Sequence, residues 1–391
     1  MKYDFDMVID RSRTHSVKWD SAEKIFKAQG ILPMWVADMD FTAPQPVIEA
    51  LKRRAEHGIF GYSDPAPSYY ESILRWMKSR HGWEFPSDWI VFSPGVVPAL
   101  YNLVKMLTEP GDQVMIQSPV YPPFFHAVER NGCVIVDSPL VIRGGRYEMN
   151  FTDMEEKLAS GVKVFILCNP HNPVGRVWTE EELRELLRLC RRYHVVVLSD
   201  EIHGDLIYPG HRHVPLLKVA EEGMADQVIV CTAPSKTFNL AGLQTANLMV
   251  PNPAYRSALR KVMAGGVHEP NAFGIAALEA AYTEGEPWLE QLISYLQGNL
   301  DYMEEFIRER MDKVKMFRPE GTYLVWLDFR SLKMNGEELQ EFLIRECRVG
   351  LNAGYTFGPG GEGFARVNIA CPRSTLQAGL ERLEKGLHTI L

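Results

Sequence analysis

Lys236 stands in the run Ala233-Pro234-Ser235-Lys236-Thr237-Phe238-Asn239, and Asp200 opens Asp200-Glu201-Ile202-His203, 36 residues earlier. Each run follows an apolar stretch that reads as a buried strand, residues 228–231 before the lysine and 195–198 before the aspartate. A lysine amine can form a Schiff base with the aldehyde of pyridoxal phosphate, and an aspartate is the natural partner of that cofactor's pyridinium nitrogen. A charge pair at about 4 Å and an effective dielectric near 20 contributes roughly 4 kcal/mol, so Asp200 could keep the ring protonated as an electron sink. Once substrate displaces the lysine, its amine is placed to act as general base.

Such a cofactor needs three more things: a face to stack on, a phosphate cradle and a clamp for the substrate carboxylate. Tyr121, in Ser118-Pro119-Val120-Tyr121-Pro122-Pro123, is an aromatic in a stiff proline-flanked turn and suits the first need. Gly95-Val96-Val97 opens a helix-like stretch whose exposed N–H groups would receive a phosphate, joined by the Ser235 hydroxyl. Arg366, on the alternating stretch Gly363-Phe364-Ala365-Arg366-Val367-Asn368, could grip a carboxylate in bidentate fashion. Taken singly each has a plainer reading: a loop lysine, a helix N-cap, a packed tyrosine, a glycine turn and a solvated arginine. Their convergence is what favours a site.

The elements that must position these residues are short β-branched runs at 89–92, 113–116, 134–136, 162–167, 195–198, 228–231 and 245–250. Helix-like stretches lie between many of them; residues 179–193 carry Glu180-Glu181-Glu182 at the start and Arg188, Arg191 and Arg192 near the end, matching the helix dipole. The alternation predicts an α/β fold with a mixed, mostly parallel sheet of seven strands. In such sheets ligands bind beyond the carboxyl ends of the strands. Ser93-Pro94-Gly95, Asn169-Pro170-His171-Asn172-Pro173, Asp200 and Ser235-Lys236 each follow one strand, so four strand ends would face one crevice. After residue 286 the pattern changes to one long amphipathic helix, 287–311, and strands at 323–329 and 365–369. We expect a large domain over residues 46–286 and a smaller α+β domain from residues 1–45 and 287–391, packed closely for want of a flexible linker.

The 391 residues are 46% hydrophobic, with 42 Lys and Arg against 50 Asp and Glu, a net charge of -8. The basic residues are scattered, which argues against nucleic acid or an anionic membrane as partner and favours a small-molecule substrate. The acidic start shows no secretory pattern and no apolar run approaches the roughly 18 residues of a membrane span, so a cytoplasmic protein is expected. Six cysteines without C-x-x-C spacing read as buried free thiols. Gly358-Pro359-Gly360-Gly361-Glu362-Gly363 matches G-x-G-x-x-G in form only, since it leads into a strand; it reads as a turn. His211-Arg212-His213 could suggest a metal, but without neighbouring carboxylate or cysteine ligands it reads as a solvated loop, and no metal is expected.

With these residues assembled, the chain resembles fold-type I pyridoxal-phosphate enzymes of the aspartate aminotransferase superfamily over essentially its whole length. It is most similar to the bacterial C-S lyases of the MalY/PatB type in residues 33–41, 93–97, 168–173, 199–203 and 234–244. The resemblance implies Lys236 as the Schiff-base lysine, Asp200 at the pyridine nitrogen, Asn172 at the ring 3-oxygen and near the substrate, and Tyr121 stacked on the ring with a share in catalysis. It implies Arg366 as the α-carboxylate clamp, assisted by backbone near Ala37. Tyr62, in Phe60-Gly61-Tyr62, matches a tyrosine that reaches the phosphate of the neighbouring subunit, so a homodimer with shared sites is implied. His203 replaces a tyrosine at the 3-oxygen, Ala233 a phosphate-binding serine and Gln244 an arginine; all three resemble the C-S lyase branch and leave the phosphate fewer charged partners.

Elimination and transamination share the same α-deprotonation, and a barrier difference of about 1.4 kcal/mol changes their ratio tenfold. The residues alone leave both open. The resemblance implies β-elimination from L-cystathionine or another cysteine S-conjugate, with an aminotransferase as the alternative and a regulatory cofactor-binding protein as a third reading.

Overall fold

In the computed structural model, which describes residues 2–221 and 223–390, the expected seven-stranded sheet is present. Its strands are β1 (Ile90–Ser93), β2 (Gln113–Ile116), β3 (Val134–Asp137), β4 (Val162–Cys168), β5 (Val196–Asp200), β6 (Val228–Thr232) and β7 (Ala246–Met249). The spatial order is β1-β7-β6-β5-β4-β2-β3; β7 runs antiparallel to both neighbours and every other pair is parallel.

Side-chain alternation divides the interior into two apolar layers. Along β4, Val164, Ile166 and Cys168 face one layer while Phe165 and Leu167 face the other. Val196 and Leu198 against Val197 on β5, and Ile229 and Cys231 against Val228 and Val230 on β6, repeat the pattern. Burying each such side chain contributes about 1.5–3 kcal/mol, which fixes strand register and with it the place of every residue at the strand ends.

The helix Glu180–Arg192 starts at a capping box: the Thr179 hydroxyl accepts from Glu182 N at 3.2 Å and the Glu182 carboxylate accepts from Thr179 N at 2.8 Å. The helix Val96–Leu107 begins immediately after Gly95, at the end of β1. The long C-terminal helix runs Glu286–Arg310, within one residue of its expected bounds.

A second, antiparallel sheet holds β8 (Lys315–Phe317), β9 (Leu324–Asp328), β10 (Asn352–Ala353) and β11 (Phe364–Asn368), in the order β8-β9-β11-β10. Residues Leu32–Pro33 pair in parallel with Val349–Gly350, so the N-terminal segment joins the C-terminal part of the chain. Gly358–Gly363 is a turn leading into β11, as expected. All six cysteines are free and buried. Among the described residues, no helix is long and apolar enough to cross a membrane.

One expectation is overturned. His213 is no solvated loop residue: it is 4% exposed and its Nε2 lies 3.0 Å from Glu201 Oε2. The sequence shows a polar triplet after Pro209-Gly210, whereas folding seats the third member beside a buried carboxylate contributed by the end of β5.

Candidate active site

The ends of β1, β4, β5 and β6 open on one cavity of about 180 Å³. Its wall includes Gly95, Val96, Val97, Tyr121, Asn172, Asp200, His203, Ser235, Lys236 and Ala37. Arg366 reaches it through Asn172, whose Oδ1 accepts from Arg366 Nη1 at 3.0 Å. Of the residues expected in the site only Tyr62 lies apart, fully exposed on the stretch preceding the helix Pro67–His81.

Lys236 rides on a single helical turn, Pro234–Thr237, and its Nζ donates to the carbonyl of Ala37 at 2.6 Å. Burial is the main cause that lowers its pKa to about 8; the Arg366 charge adds to this, while Asp38 and Asp200 oppose it. An amine in this state keeps roughly a tenth to a fifth of its population neutral around pH 7, far more than an ordinary lysine, and can attack an aldehyde. Asp200, the last residue of β5, is 5% exposed, and its Oδ1 accepts from Ile202 N at 3.1 Å. Burial pushes its pKa up to about 7, and among the described residues it forms no ion pair. A buried carboxyl lacking a cation is a receptor for one.

His203 is buried with Nδ1 unpartnered, and burial, reinforced by the Lys236 and Arg366 charges, holds the ring well below its ordinary pKa. It is thus a neutral imidazole with a free nitrogen beside the cavity. Tyr121 is partly buried at the rim, its phenol raised by desolvation. Gly95 precedes the first turn of Val96–Leu107, where N–H groups have no helical acceptor and the helix dipole favours an anion.

Arg366 is 4% exposed. It donates to Asn172 Oδ1 at 3.0 Å, Trp35 O at 3.0 Å and Asn352 Oδ1 at 2.6 Å, and its guanidinium lies 5.1 Å from the centre of the Phe357 ring. A guanidinium carries five N–H groups. Three are used in these bonds, which leaves two, including the buried Nε–H. Burial lowers its pKa to about 10, and no carboxylate of the described residues pairs with it. It remains a cation lacking an anion, the complement of Asp200.

Sequence reasoning missed the residues that hold the segment over Lys236. Consecutive carbonyls of residues 35–39 are each taken by a side chain: Trp35 by Arg366, Val36 and Asp38 by Asn368 Nδ2, Ala37 by Lys236 and by Tyr323 OH at 2.9 Å, and Met39 by Asn239 Nδ2 at 3.0 Å. Asn239 also accepts from Met39 N and donates to Phe41 O. Behind this strap, Asp40 is bound by Lys18, Arg11 and the Trp19 indole, and Asp38 by Arg11. Asn239 and Asn368 lie inside runs singled out from the sequence; two amides in otherwise apolar or catalytic runs were the available signal.

The cavity accepts pyridoxal phosphate on its own chemistry: an amine for the aldehyde, an unpaired buried carboxyl for a ring cation, an unpartnered imidazole nitrogen for a ring oxygen, and a helix start with Ser235 for a phosphate.

The comparisons agree with that geometry. The family described as aminotransferase class I and II matches residues 31–383. Cystathionine beta-lyase PatB of Bacillus subtilis is 46% identical over 98% of this chain and 99% of its own length. The structure of cystalysin from Treponema denticola, which contains a pyridoxal 5'-phosphate cofactor, superposes with a TM-score of 0.97 at 38% identity, covering 100% of both chains. A pyridoxal-phosphate-bound C-S lyase from Staphylococcus hominis gives 0.92 at 34% identity, covering 99% of this chain and 98% of that one. With nearly its full length matched, the chain belongs to the class I and II aminotransferase family.

Proposed function

We propose that this chain is a pyridoxal 5'-phosphate-dependent carbon-sulfur β-lyase that converts L-cystathionine or another L-cysteine S-conjugate into a thiol, pyruvate and ammonia. The observation that carries the reading is the pairing of unmet charges, Asp200 without a cation and Arg366 without an anion among the described residues, around the Lys236 amine, in a chain 46% identical to a cystathionine β-lyase. When bound, the cofactor supplies an electron sink that acidifies the substrate α-hydrogen and allows the bond from Cβ to sulfur to break.

Lys236 holds the cofactor and, when released, takes the proton from the substrate α-carbon on Nζ; a pKa near 8 suits an amine that must accept and return a proton around neutrality. Asp200 would hold a proton at the ring nitrogen, and His203 and Asn172 would face the ring 3-oxygen. Tyr121 would stack on the ring and lend its hydroxyl to proton movement near the substrate. Gly95, Val96, Val97 and Ser235 receive the phosphate. Arg366 binds the α-carboxylate through its two unfilled N–H groups, with Asn172 and the Ala37 backbone completing the pocket. Residues 46–286 form the cofactor-binding unit and residues 1–45 with 287–391 the unit that carries Arg366.

An aminotransferase is the second reading, favoured by the family match. Incubation with L-cystathionine, and separately with an amino donor and 2-oxoglutarate, separates the two: pyruvate and free thiol are expected from the first. Glutamate without pyruvate would establish the aminotransferase instead.

The working unit is a cytoplasmic homodimer with shared sites. Ile59, Phe60 and Tyr62 stand exposed together, and Tyr62 does not line the cavity of its own chain. Mixing Lys236→Ala with Tyr62→Ala protein under subunit exchange is expected to restore part of the activity, because one hybrid site receives both intact residues. Exchange without recovery removes Tyr62 from the partner's site.

A further inference from the structure

Lys236 sits on a turn too short to hold itself. Pro234–Thr237 has four residues and is entered from Ala233, which has no side chain able to cap it; one helical turn fixes several dihedrals for a single hydrogen bond. Its orientation must come from tertiary contacts. The residue after the lysine supplies one: Thr237, fully buried, donates its hydroxyl to Asp205 Oδ2 at 2.7 Å. The other oxygen of Asp205 faces His81 Nε2 at 2.8 Å and accepts from the Trp76 indole at 3.1 Å. Both partners belong to the helix Pro67–His81, and Trp76 is itself wedged, stacked on Tyr282 at 5.2 Å and edge-on to Phe238 at 5.5 Å. Burial would raise the Asp205 pKa, yet its bonds to His81 and Thr237 hold it below the ordinary value, so the carboxylate is charged and fully engaged.

The same layer reaches the aspartate. His81 packs edge-on to His213 at 5.3 Å, and His213 pairs with Glu201, the residue after Asp200. The other carboxylate oxygen of Glu201 accepts from Ser199 Oγ at 2.8 Å and Leu216 N at 2.9 Å. Gly204 makes the approach possible: a Cβ there would lie 2.8 Å from the His213 ring. None of Glu201, His213, His81, Asp205 and Thr237 lines the catalytic cavity. A buried polar chain thus ties the residue following Asp200 to the residue following Lys236, from behind.

We propose that Asp205, acting through Thr237, is a positioning residue for Lys236, and that the buried layer sets where the lysine amine stands relative to Asp200. The inference rests on Lys236 being the reacting amine. Satisfied buried networks of this kind fix geometry, and a misplacement of about 1 Å in a reacting group can cost 10²-fold in rate.

The test uses full-length holoenzyme. Thr237→Val keeps the shape and removes the donor, whereas Thr237→Ser keeps the donor. Thr237→Val is expected to lower kcat about tenfold with KM within about twofold, and to move the midpoint of the absorbance titration of the cofactor-lysine bond. Thr237→Ser is expected to match the parent in both. An unshifted titration with unchanged kcat in Thr237→Val overturns the proposal, as does a Thr237→Ser protein impaired equally, which would assign the effect to packing. Should Thr237→Val not accumulate as holoenzyme, Asp205→Asn is read instead, with a kcat loss at unchanged KM expected and full activity with an unshifted titration overturning the idea. Failure of the underlying reading is distinguishable: a Lys236→Ala protein that still forms the cofactor bond would remove Lys236 from its role, whatever Thr237 variants do.

Discussion

Lys236→Ala is expected to lower turnover of L-cystathionine by at least about three orders of magnitude, roughly 4 kcal/mol of barrier, because in the proposed function one substitution removes both the covalent anchor and the general base. The loss should fall in kcat, since Arg366, the proposed carboxylate clamp, is left intact. Nζ also has a pH signature. Its pKa is lowered to about 8, chiefly by burial, and only the neutral amine attacks an aldehyde. Protonation gains as pH falls, so capture of pyridoxal phosphate by apoprotein should slow about tenfold per unit below that value and level off above it. Stopped-flow absorbance of apoprotein mixed with cofactor measures this; a rate unchanged from acid to alkaline would mean that another group limits capture.

Arg366→Ala is expected to reduce kcat/KM by about 10²- to 10³-fold, in line with the 2–5 kcal/mol lost when one member of a buried, hydrogen-bonded charge pair is removed. Arg366 is itself desolvated without an anion, so the cost of burying it is recovered only when a carboxylate arrives. Discrimination should fall with it: the parent should reject the α-decarboxylated analogue of its substrate, and the variant should treat acid and amine nearly alike. Steady-state kinetics on that pair of compounds decides the matter. A variant that retains its preference for the acid would place the carboxylate elsewhere. Arg366→Lys should recover only part of the loss, since an ammonium cannot present two N–H groups in the fork geometry.

The strand ends were legible in the sequence because a buried parallel strand must be a short apolar run, and the first polar residue after it marks the crevice. Ser93, Asn169, Asp200 and Ser235 stand at such strand ends; Asp200 and Ser235 line the cavity, as do Gly95 and Asn172 shortly after the other pair. Arg366 was legible as one of a strand's alternating residues, but nothing local separates it from a solvated arginine; that no carboxylate among the described residues pairs with it is a property of the folded neighbourhood. Tyr323, Asn239 and Asn368 stayed hidden for a related reason. Their partners are main-chain carbonyls of residues 36–41, about 200 to 332 positions away, and a carbonyl leaves no mark in composition or periodicity. His213 was misread because burial of a polar side chain depends on a partner, here Glu201, whose own side chain turns away from the cavity.

The carbonyl strap over Lys236 also bears on the order of events during synthesis. Asn368 reaches back 332 positions to Val36 and Arg366 reaches back 331 to Trp35, among the longest sequence separations that two parts of this chain can have. Contacts so distant in sequence close late, because their loop entropy must be met before they return any stabilisation. A nascent chain lengthening at about 5–20 residues per second can build the seven-stranded sheet, complete with lysine and aspartate, many seconds before the last strand of the smaller sheet leaves the ribosome. Over that interval the amine would stand at the strand ends without Arg366 and Asn368 over it, open to the aldehyde and with no carboxylate clamp yet in place. On this order the residues that would hold the cofactor are in place before Arg366, the proposed carboxylate clamp, arrives with the strand Phe364–Asn368.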